Sequence, residues 1–455
     1  MTAGHRESAS LDEWHEFARA HPQLSALDAF IIDVNGNTLG KRLAIEDAHK
    51  AFTDGVLFSS CALFADVRGL GHNVQGMGGS DGDPDGTAQP LAGTLRSVPW
   101  ARASTAQVLC SMRHITERQP LWFDPREVLE GVVAHCHAAR IFPVVACELE
   151  FYLVDPRRTE NGGIALATLP GKSGPPRRAA NLSVDALEEA SAFLNGVADA
   201  AREQGVPASG AVAEYGIGQY EINLRHASDP LLAADHAVLL KRIIKGVAQS
   251  MGMVATFMAK PFPRQTGSGL HVHVSIADSA GVNRFGLEGG EKILQEAIAG
   301  MQELMFDSLG LCAPSFNSYR RYLGSFVPTT KDWGHNNRAV AFRIPAAHGP
   351  GRRIEHRVAG ADASPHLVVA AVLAALLHGM THHLQPTNPI EGRNLSAADP
   401  ALPNGLLAAL ERVEQSKLLA QYIPARYLAL YSELKRKEYA AFIDELFSRE
   451  YDFYL

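Results

Sequence analysis

Four segments of this 455-residue chain place charged or polar side chains at every second position among apolar neighbours. Glu148 and Glu150 alternate in this way in Val145-Ala146-Cys147-Glu148-Leu149-Glu150-Phe151, and Glu221 and Asn223 in Gln219 to Leu224. His271, His273 and Ser275 do so in Leu270 to Ile276, and Arg353, Glu355 and Arg357 in Arg352 to Val358. A helix would scatter such residues around its axis, whereas a strand sets i and i+2 on one face. Taken singly, each segment is an ordinary strand with one wet face. Together, with apolar flanks, they describe core strands whose charged faces line one cavity. Carboxylates gathered there repel one another and rise in pKa unless cations neutralise them. Glutamates with one or two histidines form a hard donor set, suited to Mg²⁺ or Mn²⁺ and not to structural zinc. The interleaved arginines can bind oxyanions bidentately, and with the turn Gly267-Ser268-Gly269 they point to phosphoryl transfer by charge neutralisation.

Composition narrows the setting. With 46% hydrophobic and 20% charged residues the chain reads as an ordinary globular protein, long enough for a large core. Its 42 basic and 49 acidic side chains leave a net charge of −7, which is not the footprint of a general nucleic-acid binder. Five cysteines, at 61, 110, 136, 147 and 312, form no CxxC pair, which argues for a reducing compartment and against a zinc ribbon or disulfide scaffold. The start of the chain has no apolar leader, and the most apolar stretch, Leu367 to Leu377, is short of the roughly 20 residues that cross a bilayer. A buried helix is expected there, begun by Ser364-Pro365 and stopped by Gly379, in a cytoplasmic protein with no membrane partner.

Residues 1–24 read as an N-terminal segment, 25–113 as a small domain with long loops, and 114–455 as the larger unit. The first domain has a hairpin signal, Asn35-Gly36-Asn37, between Ala29 to Val34 and Thr38 to Leu43. A Gly/Asp-rich loop, Gly76 to Gly86, and a strand from Ala106 to Met112 follow. Beyond it, Asp124-Pro125 and Asp229-Pro230 open helices, and Leu187 to Gln204 is helical. Strands are expected at Val144 to Val154, Tyr220 to Leu224, Met253 to Ala259, Leu270 to Ile276 and Arg353 to Val358. The Gly-, Pro- and Arg-rich Asp155 to Asn181 reads as a solvated, mobile insertion. The alternation favours an α+β fold over a doubly wound sheet.

From about residue 25 onward the chain resembles the glutamine synthetase family. The match is carried by Glu148-Leu149-Glu150-Phe151, Glu214 with Gly218-Gln219-Tyr220-Glu221-Ile222, and Lys260-Pro261-Phe262 running into Gly267-Ser268-Gly269-Leu270-His271-Val272-His273. It continues through Asn317-Ser318-Tyr319-Arg320-Arg321, Asn337-Arg338 with Arg343-Ile344-Pro345, and Arg353-Ile354-Glu355-His356-Arg357. The resemblance implies an N-terminal β-grasp domain and a catalytic domain with a curved antiparallel sheet. It implies a homo-oligomeric ring, a hexamer or stacked dodecamer, with sites between subunits. Two Mg²⁺ or Mn²⁺ ions would be held, one by Glu150, Glu214 and Glu221 and the other by Glu148, His271 and Glu355. Arg321 and Arg357 would hold glutamate, beside Gly269. Arg338 would serve the transferred phosphate, and His273, Ser275, Arg343 and Arg353 the nucleotide. The implied chemistry is phosphorylation of the γ-carboxylate of L-glutamate by ATP, then displacement of phosphate by a nitrogen nucleophile. Lys260 is as readily structural as catalytic, and His135, His137, His378, His382 and His383 read as solvated or capping residues.

Two departures bear on that nucleophile. Ammonia-using members carry a flap glutamate, the catalytic position that is Val327 here, within Gly324-Ser325-Phe326-Val327-Pro328. They also carry an Asp in the N-terminal domain, whose best match is Ser59 in Leu57-Phe58-Ser59-Ser60-Cys61. With both acids gone, an organic amine is expected in place of ammonia, a hydrophobic or bulky monoamine, aromatic ones included. A γ-glutamylpolyamine synthetase, an ammonia-using enzyme and a non-catalytic ring protein are the alternatives. His271-Val272-His273 also resembles the HxH of a metal-dependent hydrolase, but it lies late in the chain and precedes an Arg/Glu strand. No tyrosine lies near Arg393-Asn394-Leu395-Ser396, so adenylylation of that loop is not expected.

Overall fold

Gly36, in the left-handed region at φ 75°, turns the chain between β1 (Ala26–Ile32) and β2 (Thr38–Ala44), which pair from Ile32 opposite Thr38 to Ala26 opposite Ala44. The computed structural model describes residues 7–324, 326–392 and 398–455; the Arg393 to Ser396 stretch lies outside the described residues. β3 (Val56–Ser59), β4 (Asp85–Pro90), β5 (Arg96–Ser97) and β6 (Thr105–His114) complete a sheet of order β2-β1-β6-β4-β3, with β5 also on β6. Its central pair, β1 and β6, is parallel, as the β-grasp expectation requires.

The second sheet has eight strands: β7 (Phe142–Val154), β8 (Ala208–Ala213), β9 (Gln219–Leu224), β10 (Val254–Thr256), β11 (Leu270–Ala277), β12 (Trp333–His335), β13 (Phe342–Ile344) and β14 (Ile354–His356). They run in the order β12-β13-β14-β11-β7-β9-β8, with β10 on β7. The expected antiparallel arrangement holds except for the parallel pair β12 and β13. The apolar side of β7, with Val145, Cys147, Leu149 and Phe151, lies in the main core with helix Pro230–Ser250. Helices Pro125–Ala138 and Pro365–Thr381 pack there too.

Both Asp-Pro helix starts form as expected: the Asp124 carboxylate accepts from the backbone N–H of Arg126 at 2.8 Å, and that of Asp229 from Leu231 at 2.9 Å. Leu187 to Gln204 is instead two helices, Val184–Glu189 and Ser191–Glu203, joined at Ala190. Gly379 does not stop its helix, which runs on to Thr381. A Cβ at Gly379 would fall 2.0 Å from the Glu296 carbonyl oxygen, and one at Gly300 2.0 Å from that of Ala375. The glycine therefore serves close helix contact and not termination. Among the described residues no helix is long and apolar enough to cross a membrane. All five cysteines are free thiols.

Candidate active site

Strand register turns four separate alternations into one surface. Glu150 lies opposite Glu221 across β7 and β9, and Glu148 lies between Asn223 on β9 and His271 on β11. His273 lies opposite Glu355 on β14, which in turn faces Arg343 on β13. The cavity so floored has a volume of about 470 Å³ and takes in Glu148, Glu150, Glu214, Glu221, His271 and Glu355. Arg321, Arg338, Arg343, Arg353, Arg357, His273 and Val327 also line it.

Its charges are unevenly balanced. Glu355, 1% exposed, is paired with Arg343 Nη1 at 2.6 Å and with the Arg357 guanidinium. Burial alone would raise its carboxyl, but Arg357, His271 and His273 outweigh it and hold the group down to about 2. Glu148 stands 3.3 Å from His271 Nδ1 and 2.6 Å from His273 Nε2. These histidines overcome its burial and keep it well below the carboxylate range. Arg353 Nε donates to the other ring nitrogen of His273 at 3.0 Å. Glu221 has no such counterweight: burial, then repulsion from Glu148, Glu150 and Glu214, pushes it up to about 9. Glu214 is raised as well, by burial and by Glu150.

Two donor groups emerge, Glu148, His271 and Glu355, and Glu150, Glu221 and His271, each with ligand atoms mutually within 4.8 Å. Glu214 stands on the cavity wall beside the second group, outside that radius. His271 is shared, where the family pattern assigns it to one ion. All-oxygen and imidazole donors with surplus negative charge fit a hard divalent cation.

Around them, Gly269 donates its N–H to Glu150 at 2.7 Å, and a Cβ there would meet Arg321 Nη2 at 2.9 Å and His271 Nε2 at 2.9 Å. Arg321, 3% exposed, is fixed by donation to the Val358 carbonyl at 2.8 Å. Ser275 is buried further along β11 and does not line the cavity. Lys260 is structural: its ammonium is bonded to the Gln265 carbonyl, and its backbone is clamped to Asn317 at 2.8 and 3.0 Å. His378 is buried rather than solvated, bonded to the Tyr422 hydroxyl at 3.0 Å with Glu303 Oε2 3.4 Å from its other ring nitrogen.

Residues 123–454 match the glutamine synthetase catalytic domain. The chain belongs to the glutamine synthetase family. It is 36% identical over 440 residues to the gamma-glutamylputrescine synthetase PuuA of Escherichia coli (strain K12), covering 96% of this chain and 93% of that one. It is 33% identical over 420 residues to a glutamate–isopropylamine ligase of a Pseudomonas species, covering 89% of each. A solved structure of apo GmaS superposes with a TM-score of 0.80 at 26% identity, over 95% of this chain and 97% of that one. Glutamine synthetase family enzymes are ligases that use ATP and divalent metal ions, and the donor groups described above suit that requirement.

The two positions that bear on the nucleophile lie apart in the structure. Val327 lines the cavity with no acid in its place. Ser59 lies on β3, away from this cavity, and its hydroxyl donates to Asp83 Oδ2 at 2.5 Å. The backbone N–H of Cys61 donates to the other oxygen of Asp83 at 3.2 Å. The Gly/Asp-rich loop thus folds an acid, Asp83, against Ser59. Three other wall residues carry no charge signal in the sequence. Tyr215 follows Glu214, while Asn181 ends what reads as a solvated insertion and Leu182 directly follows it.

Proposed function

We propose that this protein is an ATP-dependent ligase that joins the γ-carboxylate of L-glutamate to an organic amine, with a hydrophobic or bulky monoamine as its preferred partner. The observation that carries the amine assignment is Val327 in the wall of a cavity otherwise rich in charged side chains, with the apolar or aromatic Leu182, Val212, Tyr215 and Phe326 also lining it. Apolar contact there would favour an amine with a hydrocarbon body over ammonia by about 2 kcal/mol for roughly 80 Å² buried, at about 25 cal/mol per Å².

In this reading Arg321 and Arg357 hold the glutamate carboxylates beside Gly269. Arg338 and Arg343 neutralise the transferred phosphoryl group, and His273, Arg343 and Arg353 face the nucleotide, with Ser275 further along the strand. A γ-carboxylate oxygen of glutamate attacks the γ-phosphorus of ATP and ADP leaves. The amine nitrogen then attacks the acyl carbon of γ-glutamyl phosphate, orthophosphate leaves, and the amine proton passes to solvent. Val327 cannot accept that proton, so turnover rises toward alkaline pH as more amine is neutral. Two Mg²⁺ or Mn²⁺ ions, held by Glu150, Glu214 and Glu221 and by Glu148, His271 and Glu355, would supply charge neutralisation for the phosphates. The chain is divided near residue 113, works in the cytoplasm, and forms a ring, hexamer or stacked dodecamer, that brings Ser59 of one subunit to the cavity of the next.

A diamine or polyamine is the second reading. It is favoured by the Asp83 carboxylate at Ser59, which could meet a second ammonium, and by the likeness to a gamma-glutamylputrescine synthetase. Phosphate release with ATP, glutamate and Mg²⁺ separates them when kcat/KM is compared for ammonia, putrescine, spermidine, butylamine and phenylethylamine. The monoamine reading expects phenylethylamine or butylamine to lead; putrescine or spermidine ahead by about tenfold establishes the second.

A further inference from the structure

Two aromatic rings meet at the cavity mouth from distant parts of the chain. Tyr215 directly follows Glu214, Phe326 directly precedes Val327, and their rings stack with centroids 4.7 Å apart and planes at 23°. Both are half in solvent, Tyr215 at 48% and Phe326 at 52% exposure. Phe326 also sits at φ +66°, a left-handed conformation that is a genuine outlier for a bulky residue and persists only when its surroundings hold it there. No other Phe, Tyr or Trp lines this cavity among the described residues, and Leu182 stands on the same rim.

We propose that Tyr215 and Phe326 form an amine clasp, the stacked pair laying its uncovered ring faces and edges against the hydrocarbon body of a primary amine while its nitrogen points to the carboxylates of the floor. Tyr215 is thereby a specificity-determining residue, placed where the side chain next to a glutamate of the floor can sense what lies above it. This rests on the reading of the protein as a glutamate–amine ligase. The substrate class is primary amines with an alkyl or arylalkyl body, of which ammonia and methylamine are poor members because they leave the rings uncovered. The phenol oxygen has no part in the grip, so Phe should replace Tyr.

The test compares wild type, Tyr215→Ala, Tyr215→Phe and Phe326→Ala in the full-length protein, with phenylethylamine, butylamine and methylamine. In Tyr215→Ala the ratio of kcat/KM for phenylethylamine over methylamine falls about tenfold or more, through a higher amine KM with kcat retained. Phe326→Ala shows the same loss, and Tyr215→Phe keeps the wild-type ratio. In all three, the KM for glutamate and the Mg²⁺ concentration for half-activation stay as in wild type, which a displaced Glu214 would not permit. A ratio that does not move in Tyr215→Ala, or one lost equally in Tyr215→Phe, overturns the clasp while the ligase reading stands. Absence of amine-dependent phosphate release by the wild-type protein overturns both.

Discussion

The catalytic sheet has buried charge on both of its sides, and the two sides are finished differently. Behind it, Asp235 receives Arg126 through Nε and Nη2 at 2.9 and 3.0 Å and His366 Nε2 at 2.9 Å. None of the three is more than 3% exposed. Burial would raise the Asp235 carboxyl, but Arg126 and His366 overcome it and hold the group far below the usual range. In front, Glu150 and Glu221 share one histidine with Glu214 on the wall beside them, and Glu221 is driven up to about 9 by burial and by its acidic neighbours. Glu148 and Glu355 lie between these extremes, matched by Arg343, Arg357 and two histidines. A charge cluster completed within the chain cements helices together; one left short of positive charge is built to receive it. The cost of burying the front acids is relieved by taking up a proton, as the raised Glu221 shows, or by a cation from outside.

That contrast can be broken at several points. Glu355→Ala should lower turnover by about 10³-fold or more while the fold is kept, since a fixed electrostatic element of the reaction is removed. Full activity in a metal-replete assay, with a native far-UV spectrum, would take Glu355 out of the site. Asp235→Asn should cost about 3–5 kcal/mol in urea unfolding, because Arg126 loses its buried partner, with the KM for glutamate unmoved. The same change fixes the sign of a pH effect. Asp235 has its folded pKa below the ordinary 3.8, so its contribution is complete above about pH 4. It is lost as pH falls, because the unfolded chain takes up a proton that the native carboxylate refuses. The gap between wild type and Asp235→Asn should therefore close on acidification; a gap that widens would contradict the assignment.

The front face predicts the opposite response to substitution. Mg²⁺ or Mn²⁺ at a hundred times its Kd should stabilise the wild-type protein by about 2.7 kcal/mol in thermal unfolding, and most of that gain should vanish in Glu221→Gln. In EDTA the same Glu221→Gln should raise stability by about 1 kcal/mol, because one member of a repelling buried set has become neutral. Should it instead destabilise the metal-free protein, the front acids would be as internally balanced as Asp235.

Most of the front face was readable from the linear sequence because period-two alternation is a direct consequence of strand geometry. Glu148, Glu150, Glu221, His271, His273 and Glu355 needed only the assumption that their strands pair. Their register, which makes His271 common to both donor groups, is a tertiary fact with no local signal. Asp83 is hidden for a related reason: it reaches Ser59 through a 24-residue excursion whose glycines and aspartates read only as loop. Gly379 misled because a glycine near a helix end is more often a stop than a contact point. The stacking of Tyr215 on Phe326 joins two segments whose proximity no composition or spacing announces.

The register of β9, β7, β11 and β14 has one more consequence. The donors that meet on this surface are drawn from positions 148 to 355 and touch only when the strands between them are paired. A slip of one residue in any of those strands would turn its donors to the opposite side of the sheet. A copy in which β14 is mispaired thus keeps Glu150, Glu221 and His271 together but loses Glu355 from the other donor group. Both donor groups are complete only when all four strands are paired in register.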